Sequence, residues 1–501
     1  MSSSNKDGLY QKLTDFIKKF KLPLILASAA FVLIAITAVW VLLAQQKTPL
    51  PELPDTTTAQ QDTTHSGNTT SVFSTGTELT SSLSADGTSS PPSEETKATV
   101  EPTESEQPTE TETPTQPQST TTNKQTETAA TTQTHKPAET EKPTPLPSSP
   151  DAAAQLLLDR MTLEEKVYQL FIVTPEQLCG VTSTVTQAGS AAQTALQSRP
   201  VGGVIFFAAN IQTPNQTTQL IANLQAYSRL GLFIAVDEEG GTVARLGKNP
   251  NMGTTVFPPM GEIGASGDTN NAYNAGLTIG QDIRRFGFNL DFAPIADVNS
   301  NPNNPVIKER SFSSDPLIAA EMVAACVAGF KKSGVLCTLK HFPGHGDTST
   351  DSHYGSASSL KTLEELQACE FLPFKSGIAA GADVVMLGHI SLPNVTGNDI
   401  PATLSYEITT GILREQLGFD GLIVTDAMSM AAITSRFSSG AAAVQALNAG
   451  ADIILMPENL ADAVNGILNA VKTGELSEKR LNESVYRILY TKLTHGIIPL
   501  G

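Results

Sequence analysis

Apolar and polar positions divide the chain into three stretches of different character. The first holds an unbroken apolar run, Leu24–Ala44 (LILASAAFVLIAITAVWVLLA). Wound as a helix it would span roughly 30 Å, enough to cross a bilayer. Lys12, Lys18, Lys19 and Lys21 precede it, and only Lys47 follows closely. That asymmetry predicts a cytoplasmic head (1–23), a single transmembrane signal anchor (24–44) in the cell membrane, and everything later outside. A cleaved signal peptide, whose apolar core is shorter, is the alternative.

The second stretch, 45–150, is Ser, Thr, Pro, Glu and Gln with almost no large apolar side chains. It buries too little surface to offset its backbone entropy, which predicts a disordered linker. From residue 48 onward fifteen acids face four lysines, so the linker should repel itself and extend, a spacer able to traverse a cell-wall layer. Its Ser/Thr-Pro richness permits O-glycosylation.

The third stretch, 151–501, alternates short apolar runs with helical patterns. Thr162 and Glu165 have the spacing of a capping box that opens a helix. The runs are QLFIVT (169–174), GGVIFF (202–207), LFIAVDEE (232–239), FNLDFAPIADV (288–298), VLCTLKHFPG (335–344), ADVVMLGHI (382–390), GLIVTDAM (421–428) and ADIILMP (451–457). Each is apolar on both faces, as parallel strands covered by helices require. Their number and the length of the stretch predict an α/β fold, a single (β/α)8 TIM-type barrel. A doubly wound open sheet is the alternative.

Charge and cysteines narrow the function. A net charge of −18 argues against nucleic acid as a partner. Cys179, Cys326, Cys337 and Cys369 show no C-x-x-C spacing, hence neither a zinc knuckle nor a disulfide framework, and three of them are expected to be buried thiols. No P-loop or dinucleotide fingerprint is present, so no cofactor is expected. A monomeric barrel is expected.

Polar residues collect at the ends of the runs: Asp237-Glu238-Glu239 after the third, Lys340-His341 on the fifth, His389 on the sixth, Asp426 on the seventh. In a barrel these ends converge on one face, where catalysis occurs. The densest cluster is KHFPGHGDTSTDSH, 340–353. Its histidines and aspartates could hold a metal ion that activates water. Asp351-Ser352-His353 also permits another reading, in which the carboxylate accepts the imidazole N–H and raises its pKa, making a proton donor near neutral pH.

The fragments VDEEGGTVARL (236–246), NPVIKERSF (304–312), KHFPGHGDTSTDSH (340–353) and VTDAMSM (424–430) resemble glycoside hydrolase family 3, in particular its NagZ-like β-N-acetylglucosaminidases. The resemblance covers essentially all of 151–501 in the family's order. It implies a retaining exo-glycosidase that removes terminal β-linked N-acetylglucosamine, with peptidoglycan-derived or other extracellular saccharides as the partner. Carried over, it assigns Asp426 as the nucleophile and His353 as the general acid/base, with Asp351 as its partner. It further implies sugar binding by Asp237, Arg245, Arg310, Lys340 and His341, and it implies no metal. Thr242 replaces a common arginine, and Lys308-Glu309 a commoner Gly-Asp-type pair. With a helix near 480–495 as the last element, no second α/β domain is expected. His345 and Asp347 are read as loop-shaping residues, His389 as a buried polar contact and Glu458 as a helix cap. Alternatives to the hydrolase are a phosphorylase on the same fold, a metal-dependent hydrolase using the His/Asp cluster, and a sugar-binding module.

Overall fold

The computed structural model describes residues 146–352 and 355–500. The expected head, anchor and nearly all of the expected linker lie outside the described residues, as does His353. Among the described residues no helix is long and apolar enough to cross a membrane.

Eight parallel strands form one sheet: β1 (Phe171–Val173), β2 (Gly203–Phe206), β3 (Phe233–Val236), β4 (Leu290–Asp291), β5 (Leu336–Phe342), β6 (Val384–Leu387), β7 (Leu422–Thr425) and β8 (Ile454–Leu455). Each strand pairs with its neighbours in sequence, and β8 pairs with β1. A parallel bridge between Val424 and Ile453 joins β7 to β8 and completes the ring. A doubly wound sheet would reverse its strand order at a switch point. This one does not, and the architecture is a TIM-type barrel. Each strand lies inside an apolar run of the sequence and is buried along its length.

Helices α1 (Pro150–Arg160) and α2 (Leu163–Gln169) precede the barrel. Thr162 and Glu165 form the expected capping box at α2, exchanging side-chain-to-backbone bonds of 2.9 and 3.2 Å. The outer layer continues with α3 (Pro214–Tyr227), α4 (Thr269–Arg284), α5 (Pro316–Ser333) and α6 (Phe371–Ala379). A π-helical segment, Glu407–Gln416, occupies the crossover from β6 to β7. Then come α7 (Ser439–Ala449), α8 (Leu460–Thr473) and α9 (Glu478–Thr494). The cap of α8 is Asn459, whose side chain accepts the Asp462 N–H, and not the expected Glu458, which is exposed.

Aromatic pairs fill the space between sheet and helices. Phe206 and Phe288 meet edge to face at 5.5 Å, and Phe342 lies 5.4 and 5.2 Å from Phe371 and Phe374. Two of the four free cysteines, Cys326 and Cys337, are buried; Cys179 and Cys369 are only half-buried, one fewer buried thiol than expected. An apolar run signals a core-facing element, but a residue near the end of a helix keeps one side toward solvent.

Candidate active site

The C-terminal ends of the strands bring the acidic and basic residues together. β3 ends beside Asp237, and a tight hairpin follows, in which Glu238–Gly240 pairs with Val243–Ala244. Glu238 turns inward and accepts the backbone N–H groups of Arg245, Leu246 and Gly247 at 2.7 to 2.8 Å. It braces the turn that presents Arg245. Burial pushes its carboxyl above the ordinary range despite those three bonds.

Lys340 and His341 are consecutive, yet both reach the mouth. In a regular strand their side chains would alternate between faces. The pairing of β5 with β6 shifts register between Leu339 and Phe342, so regular alternation does not hold at this pair. Lys340 Nζ lies 2.8 Å from Asp237 and 2.6 Å from Glu239. Arg310 grips the same Glu239 through two bonds of 2.9 and 2.8 Å. Arg245 Nη2 stands 3.5 Å from Asp237, with its guanidinium over the Phe207 ring. Cations and carboxylates therefore alternate across the mouth. Burial opposes the charge on Glu239, but Arg310 and Lys340 outweigh it and hold its carboxyl far below the usual range.

Asp297, fully buried, is the second hub. Its Oδ2 lies 2.8 Å from His341 Nδ1, and its Oδ1 accepts the His345 N–H at 2.6 Å. Burial opposes ionisation there as well, and the His341 imidazole beside it holds the carboxyl below its ordinary value.

Asp426 follows β7 directly, half-buried in the mouth. Its Oδ1 accepts the Ala427 N–H at 2.7 Å, which fixes the tilt of the carboxylate. Burial alone would raise its pKa; the His389 and His341 rings, the Ala427 N–H and Lys340 overcome that and keep it ionised. His389 is fully buried, with Nε2 donating to the Ala427 carbonyl at 3.0 Å and Nδ1 at 2.8 Å from Thr403 Oγ1. The expected buried contact is there, and it lies against the candidate nucleophile.

The KHFPGHGDTSTDSH segment leaves β5 and is tied down along its middle. Asn301 and Asn304 donate to the carbonyls of His345, Asp347 and Thr348, and Gly346 passes so near Val298 that a Cβ would come within 1.6 Å of its carbonyl oxygen. Asp347 also accepts Ser359 Oγ at 2.5 Å and faces Lys361 at 3.5 Å, and beyond the segment Ala357–Ser358 pairs with Ile390–Ser391. His345 and Asp347 thus shape the loop, as expected. Asp351 lies on this segment, half-buried.

Of the expected site residues, Asp237, Arg245, Arg310, Lys340, His341 and Asp426 converge on the one mouth. Sequence reasoning passed over Asp297 and Glu239. Both stood in quoted runs, but nothing in the pattern separates Glu239, which pairs with two cations, from Glu238, which braces a turn. The departures are exposed: Thr242, and Lys308 and Glu309 on the short turn that carries Arg310. Among the described residues no group of three His, Cys, Asp or Glu side chains is placed to hold a metal ion. A groove of about 1070 Å³ lies elsewhere, between α1, α9 and the entries to β6 and β7, and none of these mouth residues lines it.

The model of the glycosyl hydrolase family 3 N terminal domain matches residues 162–491. Beta-hexosaminidase A of Pseudoalteromonas piscicida is 38% identical over 336 residues, which cover 60% of this chain and 55% of that protein. The chain therefore spans little more than half the length of that relative. A solved glycoside hydrolase family 3 beta-N-acetylglucosaminidase from Paenibacillus sp. str. FPU-7 aligns with TM-score 0.63 at 39% identity, over 68% of this chain and 64% of that one. Beta-glucoside phosphorylase BglX bound to 2FGlc aligns with TM-score 0.62 at 28% identity, over 69% of this chain and 61% of that one. The family match runs from the capping box at Thr162 through nearly all of α9 and takes in the whole barrel with its mouth, so the chain belongs to glycosyl hydrolase family 3.

Proposed function

We propose that this chain hydrolyses terminal β-linked N-acetylglucosamine from extracellular glycans, with retention, through a covalent glycosyl-enzyme. One observation carries the reading: Asp426 is kept ionised at the end of β7, in a mouth where fixed cations and carboxylates alternate. An ionised carboxylate there can attack the anomeric carbon as the glycosidic bond breaks. His353 protonates the departing oxygen and then takes a proton from the attacking water, with Asp351 supporting its ring. Asp237, Arg245, Arg310, Lys340 and His341 hold the sugar, since groups locked to one another offer hydroxyls and an acetamide fixed hydrogen-bonding directions. The names of the Pseudoalteromonas and Paenibacillus relatives support the sugar class.

Asp426→Ala should abolish aglycone release from an aryl β-N-acetylglucosaminide, a loss of at least about 10⁴-fold. A slow fluorinated inhibitor should label Asp426 by mass spectrometry, and a label on another residue overturns the assignment. The likeness to BglX sets the companion measurement. Free N-acetylglucosamine as product, at a rate indifferent to inorganic phosphate, supports hydrolysis. A sugar 1-phosphate formed faster with phosphate would make the chain a phosphorylase.

A further inference from the structure

The buried ring of His345 has no task in the proposed hydrolysis. Its two nitrogens contact hydroxyls of its own segment, Nδ1 with Thr348 Oγ1 at 2.8 Å and Nε2 with Ser352 Oγ at 3.0 Å. All three residues are buried. The Thr348 hydroxyl has one proton and lies 3.0 Å from the His345 carbonyl, a group that can only accept. With that proton given to the carbonyl, Nδ1–H donates to Thr348 and Nε2 accepts from Ser352. Every group is then satisfied by a neutral ring, the form that burial and the adjacent His341 favour.

The ring is fixed from behind as well. Asp297 accepts the His345 backbone N–H and, through its other oxygen, meets His341 Nδ1. The two rings stand edge to face at 5.7 Å. A continuous set of contacts thus runs from His341, a sugar-side residue, through Asp297 and His345 to Ser352. Ser352 immediately precedes the proposed acid in the chain.

We propose that His345 is a positioning residue which, through Ser352, sets the segment delivering the general acid in register with the sugar site. The inference rests on the reading of His353 as that acid. Removing the His345–Ser352 contact misplaces the proton donor while leaving the nucleophile and its surroundings intact. The loss then falls on substrates whose leaving group needs a proton.

The experiment compares Ser352→Ala and His345→Phe with the unaltered full chain. The readout is kcat/KM for a 2,4-dinitrophenyl and for an alkyl β-N-acetylglucosaminide, a ratio that reports the bond-breaking step. Both variants should lose roughly 10- to 100-fold on the alkyl substrate and less than about 3-fold on the dinitrophenyl one, because only the former depends on acid assistance. The alkaline limb of the alkyl profile should shift as well. Equal losses on both substrates, or none, overturn the inference. Ser352→Ala removes a single oxygen and decides the matter even where His345→Phe fails to fold. Failure of the functional reading looks different: the unaltered chain would release no N-acetylglucosamine, or Asp426→Ala would retain activity.

Discussion

Asp297 shows how much a single buried carboxylate can organise. It accepts the backbone N–H groups of His341 and His345 and orients the His341 ring, all without exposure to solvent. An asparagine has the same shape but turns one acceptor into a donor, so one of these buried N–H groups loses its partner at about 1–3 kcal/mol. Asp297→Asn should lower kcat/KM by about 100-fold, as the proposed sugar-binding role of the His341 ring requires once that ring drifts from its orientation. Steady-state kinetics beside a thermal melt will separate the effects: a lowered melting temperature with unchanged kcat/KM would reduce Asp297 to scaffolding. Nothing in the run FNLDFAPIADV marked that aspartate, because its partners lie 44 and 48 residues away. Asp426, Lys340 and His341 were legible because they stand inside long motifs at strand ends.

Elements were read more fully than pairs of residues. All eight strands were expected from apolar runs, because a strand covered on both faces must be apolar along its length. Less visible was the irregularity in β5, which depends on pairing with β6 and leaves no mark in composition. The fit between α4 and α5 was equally hidden. Gly276 and Gly329 let those helices touch, for a Cβ on Gly276 would lie 2.2 Å from the Cys326 carbonyl oxygen, and one on Gly329 2.1 Å from that of Tyr273. Gly276→Ala should force the pair apart and cost about 1–3 kcal/mol. Urea unfolding would read this as a lower midpoint, with the folded fraction keeping its specific activity because this contact is in the outer layer. An unchanged midpoint would mean the helices can shift at no cost.

At the scale of the whole barrel, α9 is held by a buried lysine. Lys492 reaches inward to Gln169 Oε1 and the Gly231 carbonyl, both at 2.9 Å, with its Nζ over the Phe233 ring. No carboxylate pairs with it among the described residues, and burial drives its pKa down to about 7. In the unfolded chain it would titrate near 10.4, so between these values the unfolded chain binds more protons and stability rises with pH. The gain is complete above the unfolded value and is lost as pH falls to about 7. Against Lys492→Met, which removes the titration, the protein should gain on the order of 2–4 kcal/mol across that window, the carbonyls and the ring offsetting part of the burial cost. Parallel stability curves for the two proteins would refute a neutral buried amine.

By itself the sequence determined the strands, the barrel and most of the charged side chains that gather at its mouth, because each is written in a local pattern or a contiguous motif. Tertiary structure alone decided which groups answer one another. Lys340 meets Asp237 across 103 positions, and Arg310 meets Glu239 across 71. Only ring closure brings such residues to one mouth, and electrostatic partnership depends on distance in space, which the order of residues along a chain does not record.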